Sequence, residues 1–282
     1  MPAARRRKPY SYPAHLRAQV DDVPAAPGVY LFHGDVPDLP LYIGKSVNLR
    51  SRLLSHLRNR REARLLQQTR SISFERTVGE IGALLLEARL IKDRYPLLNR
   101  QLRQNRRLCS IRLQEGVPVL VAAHQMHLEE GAGHFGLFRS ETAARSYLFR
   151  LADEHGLCLS LLRLERLVTR GGPCTRFQLG RCRGACSGGE PESAHRARLT
   201  GALSALAVRM WPWRGAVAIE ESDGEQQAFH VVQNWCHLGT VSTVAQAQAL
   251  RRVHPAFDAD CYRILCNPLV RGSGKIIELS AA

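Results

Sequence analysis

Tyr30 and Tyr42 each sit in an apolar run, Gly28-Val29-Tyr30-Leu31-Phe32 and Leu41-Tyr42-Ile43-Gly44, and a stretch rich in arginine follows at once. Two phenols on neighbouring strands beside a dense set of cations suit the cutting of a phosphodiester. A phenol can take a proton from water, and guanidinium or ammonium groups can hold phosphoryl oxygens. A free phenol titrates near pH about 10, too high for a base at neutral pH, so Lys45, Arg52 and a metal beside it are expected to lower that value. Arg52 and His56 are four apart and project from one face of a helix. Leu49, Leu53 and Leu57 form the adjoining apolar stripe, which puts Arg52 and His56 at the edge of the buried face. Arg50 and Arg58 point elsewhere and suit either a solvated surface or one that tracks a DNA backbone. Glu87 lies among Ile81, Ala83, Leu84, Leu85, Leu86, Ala88, Leu90 and Ile91, a helix apolar nearly all round and therefore buried. An unpaired carboxylate there is costly. It calls for a cation: Arg89 or Lys92 in an ion pair, or a divalent metal.

The elements that must position these groups follow from pattern. His33 to Pro40 is rich in turn formers, so the two tyrosine runs read as a hairpin with a long loop. Ser46 is expected to cap a helix running to about Arg58, and Glu62 to Thr69 suggests a second, short one. Ser71 to Val78 alternates as a strand. Gly79 breaks it, and a helix from Glu80 to about Arg94 is stopped by Pro96. Strand, strand, helix, helix, strand, helix make a small α+β domain over residues 21–105, behind a basic N-terminal extension at 1–20. A connector over 106–190 holds expected strands at Leu108–Gln114 and Val117–Ala123 and a helix at Glu141–His155, capped by Ser140 and ended by Gly156. The last module, 194–282, reads as a helix through Val208, strands at Gly215–Glu220 and Ala228–Val232, and a helix near Val244–Arg252. It carries no recognisable chemistry. The fold class is α+β throughout.

Composition narrows the function. At 282 residues with 45% apolar content, the chain can hold two domains, or one domain and a smaller module. No apolar run approaches the roughly 18 residues of a membrane span. The Arg5-Arg6-Arg7-Lys8 start has no apolar stretch behind it, so a secretory signal is not expected and a cytoplasmic location is. Of the net charge of +15, residues 1–107 supply 12 (21 Lys/Arg against 9 Asp/Glu). Charge concentrated this way suits nucleic acid, where neutralising phosphates releases counterions.

Taken in order, Gly28-Val29-Tyr30, Leu41-Tyr42-Ile43-Gly44-Lys45-Ser46-Val47-Asn48-Leu49-Arg50-Ser51-Arg52, Glu80 to Lys92, and Pro96-Leu97-Leu98-Asn99 resemble the GIY-YIG nuclease domain. In detail they are similar to the N-terminal, 3′-incising domain of the excision-repair nuclease UvrC, and the whole chain resembles a shorter homologue of UvrC. The resemblance implies a central three-stranded antiparallel sheet with flanking helices. It implies Tyr42 as the general base, Tyr30 orienting it, Lys45 supporting their hydrogen-bond network, and Arg52 stabilising charge on the phosphate. Glu87 becomes the single ligand of Mg²⁺ or Mn²⁺, and Asn99 closes the motif set. His56 stands where related domains often have a tyrosine or histidine. The implied reaction is in-line attack of water on damaged double-stranded DNA, leaving a 3′-hydroxyl and a 5′-phosphate. The implied partner is a UvrB–DNA complex, with UvrA upstream and no membrane involved. The chain lacks the stretches that in UvrC bind UvrB, make the 5′ cut and carry helix-hairpin-helix units, so one incision, the 3′ one, is implied.

Cys174, Cys182 and Cys186 are spaced by seven residues and then three, without the paired Cys-x-x-Cys of structural zinc sites. The segment is similar to the one in UvrC that carries cysteines for an iron–sulfur cluster. Four thiolates are the usual requirement, and Cys158 is the nearest fourth. A [4Fe–4S] cluster, zinc and free thiols all remain open, while Cys109, Cys236, Cys261 and Cys266 are expected in the core. Two other functions compete: a stand-alone GIY-YIG endonuclease choosing its own sequence, and a non-catalytic basic module that binds nucleic acid. Trp211 and Trp213 could stack on bases, though packing is the commoner use.

Overall fold

The computed structural model describes residues 12–36, 38–99, 108–126, 128, 133–165, 172–250, 257–271 and 275–279. The first part of the expected basic extension, 1–11, lies outside them. The N-terminal unit runs α1 (Ala14–Asp21), β1 (Gly28–His33), β2 (Pro40–Ser46), α2 (Leu49–Arg58), a 3-10 turn at Arg60–Glu62, α3 (Ala63–Gln68), β3 (Ser71–Arg76) and α4 (Glu80–Arg94). Its strands form an antiparallel sheet in the order β2-β1-β3. Tyr30 lies opposite Gly44 and Phe32 opposite Tyr42. Alternation then puts Tyr30, Phe32 and Tyr42 on one face, and Val29, Leu31 and Ile43 on the other. The tyrosine face packs on Leu16 and Val20 of α1, Leu49, Leu53 and Leu57 of α2 and Leu66 of α3. The opposite face packs on Leu86, Leu90 and Ile91 of α4.

Two glycines make the tyrosine face possible. A Cβ on Gly44 would lie 2.4 Å from the Tyr30 hydroxyl and 2.9 Å from the Tyr42 ring, so the bare backbone leaves the space that the two rings fill. A Cβ on Gly28 would lie 2.3 Å from the Glu75 carbonyl oxygen of β3. The first helix after the hairpin departs from expectation at its cap. Asn48 caps α2, its side chain accepting from the Ser51 N–H at 2.9 Å, because Ser46 is still paired with Gly28 inside β2. The Ser46 hydroxyl instead bonds the backbone of Asn48. Helix α4 ends as its pattern says, with Tyr95 in the left-handed region (φ 49°) ahead of Pro96.

A second antiparallel sheet has the order β5-β4-β6, from β4 (Cys109–Gln114), β5 (Val117–Ala122) and β6 (His134–Phe138). Helix α5 (Glu141–His155) follows, with the Ser140 hydroxyl accepting from the Ala143 N–H and Gly156 closing it at φ 60°. The cysteine-bearing loops hold the short α6 (Thr175–Gln178), and α7 (Glu192–Leu203) leads onward. The third sheet has the order β10-β7-β8-β9, from β7 (Val217–Ser222), β8 (Gln227–Gln233), β9 (Cys236–Val241) and β10 (Lys275–Glu278), with α8 (Val244–Ala249) and α9 (Ala259–Arg271). Helix α1, whose Leu16 and Val20 join the core of the first unit from a stretch read as a basic extension, goes beyond the elements expected from pattern, as do α6, α9 and strands β6, β9 and β10. Trp211 stacks edge-on against Trp213 and Trp235 and is buried with Trp235 in the core of this module. Among the described residues no helix is long and apolar enough to cross a membrane.

Candidate active site

The hydroxyl of Tyr30 is the hub. It is buried beneath α2, where it meets His56 Nε2 at 2.6 Å and accepts from Arg52 Nε at 3.3 Å. Arg52 and His56 lie one turn apart on α2, so a single helical face delivers both to one oxygen. His56 in turn places Nδ1 against Glu62 Oε2, while Glu62 Oε1 accepts from Asn59 Nδ2 at 2.9 Å. A carboxylate can only accept, so Nδ1 carries the proton and Nε2 presents its lone pair to the Tyr30 O–H. Burial, aided by Arg52, holds His56 below the ordinary histidine range despite the opposing pull of Glu62. The ring is neutral at pH 7, and the chain Glu62–His56–Tyr30 has its proton order set from the carboxylate end.

Tyr42 is half-buried beside this hub, its ring centroid 6.3 Å from that of Tyr30 and 6.0 Å from that of His56. Its phenol is pushed above the usual range, first by burial and then by the charge of Glu87; Arg52 and a hydrogen bond with Tyr30 pull the other way. The expected lowering by neighbouring cations is therefore reversed, because desolvation outweighs a single guanidinium when no metal charge contributes. Burial and the neighbouring Tyr42 raise Tyr30 further still.

Glu87 reaches the same end of the sheet from α4. Its Oε1 accepts from the Lys45 backbone N–H at 3.1 Å. Burial raises its carboxyl above the usual range, against the pull of Lys45 and Arg52. Neither anticipated partner pairs with it: Lys92 is bound to Asp258 and Asp260, and no ion pair to Glu87 forms among the described residues. A half-buried carboxylate short of positive charge is suited to one hard cation that keeps most of its waters. Lys45 contributes its main-chain N–H here, while its ammonium pairs with Glu80 at 2.6 Å. Asn99 lies behind the site, bound to both backbone groups of Ile43 between Tyr42 and Gly44. Arg50 donates from Nε to the Val23 carbonyl at 2.6 Å, tying α2 to the segment before β1, whereas Arg58 is exposed at the helix end.

Tyr30, Tyr42, Arg52, His56 and Glu87 are thus brought into one electrostatic group, with Lys45 and Asn99 fixing its backbone. Glu62 was missed by sequence reasoning. The spacing Asn59-Arg60-Arg61-Glu62 signals a helix start, and nothing in it points back to His56.

The cysteines form a separate centre. The Sγ atoms of Cys158, Cys174 and Cys182 lie within 4.8 Å of one another, with Cys158–Cys174 at 3.7 Å and Cys174–Cys182 at 3.8 Å. Cys186 Sγ joins them by accepting from the Cys174 N–H at 3.3 Å. Burial raises the thiols of Cys158 and Cys182, and pushes Cys186 up to about 11. In Cys174 burial is outweighed by the Phe177 N–H and the neighbouring thiols, and the value falls. Cys109 and Cys261 are buried, and Cys236 and Cys266 half-buried, away from this group.

Comparison with known proteins bears on the whole chain. The family model for the UvrC-like GIY-YIG domain matches residues 26–100, that for the UvrC/Cho excinuclease middle domain 101–205, and that for the excinuclease Cho C-terminal domain 216–282. A solved structure of the GIY-YIG N-terminal endonuclease domain of UvrC from Thermotoga maritima, bound to its catalytic magnesium, is 31% identical and covers 31% of this chain and 98% of that one, with a TM-score of 0.29. UvrABC system protein C of Syntrophotalea carbinolica is 35% identical over 66% of this chain and 31% of its own length. Excinuclease cho of Salmonella typhi is 51% identical over 96% of this chain and 92% of that protein. For excinuclease cho of Escherichia coli (strain K12) the values are 50%, 97% and 92%. With half of its residues shared along nearly the full length of both chains, this protein belongs to the excinuclease Cho family of GIY-YIG endonucleases.

Proposed function

We propose that the chain makes the 3′ incision at damaged double-stranded DNA in nucleotide excision repair, acting in the cytoplasm on a UvrB–DNA complex, with the chemistry in the unit 21–105. The observation that carries the reading is the convergence around Tyr42: its ring lies 6.3 Å from that of Tyr30, whose hydroxyl accepts from Arg52 at 3.3 Å, and Glu87 reaches the same strand at the Lys45 N–H, 3.1 Å away. Glu87 would hold a divalent cation, Mg²⁺ or Mn²⁺, which when bound supplies positive charge to the phosphate and the departing 3′-oxygen. Arg52, exposed beyond its contact with Tyr30, holds a phosphoryl oxygen. Tyr42 takes the proton from the attacking water at its phenol oxygen while its own phenolic proton moves to the Tyr30 oxygen and the Tyr30 proton passes to Nε2 of His56. Tyr30 orients that oxygen, with its own proton held toward neutral His56. Lys45 and Asn99 keep β2 in place while this happens.

The four cysteines are proposed to hold a [4Fe–4S] cluster, as the resemblance to UvrC implies. Zinc is the alternative with an observation behind it: a tetrahedral ion with Zn–S bonds of about 2.3 Å sets its sulfurs about 3.8 Å apart, as Cys158, Cys174 and Cys182 stand, whereas a [4Fe–4S] cluster with one cysteine on each iron needs them spread wider.

The test is nicking of a lesion-bearing duplex in Mg²⁺, with and without UvrA and UvrB. The expected result is one nick on the 3′ side of the lesion that depends on UvrA and UvrB. Tyr42→Phe and Glu87→Gln should each lose about 10²-fold or more in rate. Nicking of undamaged DNA at one sequence without partners would replace this reading with the stand-alone endonuclease, and DNA binding without nicking by the wild type, unchanged in both variants, would replace it with the non-catalytic module.

A further inference from the structure

The helix that carries Glu87 belongs to two modules. One face of α4 offers Leu86, Leu90 and Ile91 to the nuclease sheet. Its opposite face offers Ile81 and Leu85 to the C-terminal core, alongside Val217, Ile219, Trp235 and Leu265. That is why the helix is apolar nearly all round. Charged contacts follow the same seam: Arg76 pairs with Asp223 at 2.7 Å, and Lys92 with Asp258 at 2.6 Å and Asp260 at 3.3 Å.

The start of α4 has no cap of its own. Its N-cap is Gly79, which has no side chain to accept from the open N–H groups of the first turn. Glu221 of β7 supplies the acceptor from 140 residues away: Oε1 takes the Ile81 N–H and Oε2 the Gly82 N–H, each at 2.8 Å. His230 Nε2 meets Oε2 at 2.8 Å, and Thr240 Oγ1 lies 2.9 Å from His230 Nδ1, so the carboxylate is fixed from behind. The fit depends on glycine. A Cβ on Gly79 would lie 2.3 Å from Glu221 Oε1, and one on Gly82 3.2 Å from Oε2.

We infer that Glu221 is a positioning residue for the nuclease site: by capping α4 from the C-terminal module it sets the helix that carries Glu87. This rests on Glu87 being the cation ligand. The last module, which has no evident chemistry of its own, is then part of the active-site scaffold. The carboxylate, being negative, also complements the positive end of the helix.

Two measurements on the full chain test this: hydrogen exchange of the segment 79–88 without metal, and Mn²⁺ binding by calorimetry. Glu221→Ala should speed exchange of that segment about fivefold to tenfold, the effect of losing a cap. It should weaken Mn²⁺ binding by about threefold to tenfold, toward the low end for partners outside the ligand shell. Glu221→Gln keeps the volume and one acceptor and should fall between, which guards against a variant that merely packs badly. Gly79→Ala, whose backbone (φ −149°) suits any residue, displaces the carboxylate from the other side and should reproduce the loss. Combined with Glu221→Ala it should add little further. The inference alone is overturned if Glu87→Gln loses Mn²⁺ while both Glu221 variants and Gly79→Ala bind it and exchange as the wild type does. Mn²⁺ binding unchanged in Glu87→Gln would overturn the reading of the site, and this inference with it.

Discussion

Asn99 grips Ile43 at both backbone groups: its side-chain oxygen accepts from the Ile43 N–H at 2.9 Å and its amide donates to the Ile43 carbonyl at 2.7 Å. Ile43 stands between Tyr42 and Gly44 on β2, which lies at the edge of its sheet, so this amide takes the place of a missing strand. Asn99→Ala removes two hydrogen bonds and should cost about 1–3 kcal/mol of stability. Asn99→Asp keeps the acceptor but sets a carboxylate oxygen against the Ile43 carbonyl. Both should reduce nicking while leaving Mn²⁺ binding within about twofold, since Asn99 does not touch Glu87. Calorimetric binding beside a nicking assay checks this. A variant that loses the ion and the activity together would make Asn99 a ligand instead.

Gly44 is set by the rings that lie over it. In Gly44→Ala the new Cβ would lie 2.4 Å from the Tyr30 hydroxyl and 2.6 Å from the ring carbon bearing it, so both tyrosines must shift. A displacement of about 1 Å can cost about 10²-fold in rate, against roughly 1–3 kcal/mol of stability for overpacking. The variant should therefore fold yet nick poorly, which circular dichroism and single-turnover nicking together read. Near wild-type rates would mean that the ring positions do not matter.

Much of this was legible in the chain, for reasons that differ by residue. Helix α4 declares its ends through Gly79 and Pro96, and α5 through Ser140 and Gly156, because cap and stop chemistry is local. Arg52 and His56 could be placed on one face because the helical period is fixed. The burial of α4 was readable from its composition, but its second neighbour was not, since that surface comes from Val217 to Leu265 across a long stretch of chain. Glu62 escaped because the backbone leaves the helical period at Asn59 (φ −85°, ψ 102°), after which no spacing rule relates it to His56. The direction of the Tyr42 shift also escaped, because desolvation depends on how deeply the ring sits and not on which cations are near in sequence. Helix α9 carries Pro268 inside it, which argues against a helix until tertiary packing decides otherwise.

Glu62 makes an acid-side prediction. His56 must be neutral for Nε2 to accept from Tyr30, and its value lies below that of an ordinary histidine. Nicking should hold as pH falls through about 6.5, where a free histidine gains its proton, and decline only below that. In Glu62→Gln the carboxylate that holds the His56 value up is gone, so the acid limb should move to still lower pH. The plateau should fall about threefold to tenfold, and further in Glu62→Ala, where no acceptor orients Nδ1. Profiles of kcat against pH that overlay the wild type in both variants would reduce Glu62 to a helix-start residue.

Cys174 sits at the centre of the thiol group, with neighbours at 3.7 and 3.8 Å, and its thiol is the one of the four held low. Anaerobically purified protein should be brown, with broad visible absorbance and about four irons per chain. Cys174→Ser should lose that colour and the metal, with α6 and its flanking loops more open to protease. A colourless protein with one zinc per chain would instead assign the site to zinc.

Glu87 ties stability to pH and to metal. Its carboxyl is raised in the folded chain. The folded state then binds the proton more tightly than the unfolded one, so this stabilising contribution is full below the ordinary glutamate value and is lost as pH rises through the folded value. At neutral pH the metal-free protein carries an ionised, half-buried carboxylate that Glu87→Gln removes. The variant should melt about 2 °C higher than wild type at pH about 8, with a smaller gap at pH about 5. Adding Mg²⁺ or Mn²⁺ should raise the wild-type melting temperature in proportion to the logarithm of free ion and leave the variant unmoved. Both proteins rising together would show that the ion binds elsewhere, and the carboxylate beside Tyr42 would need another partner.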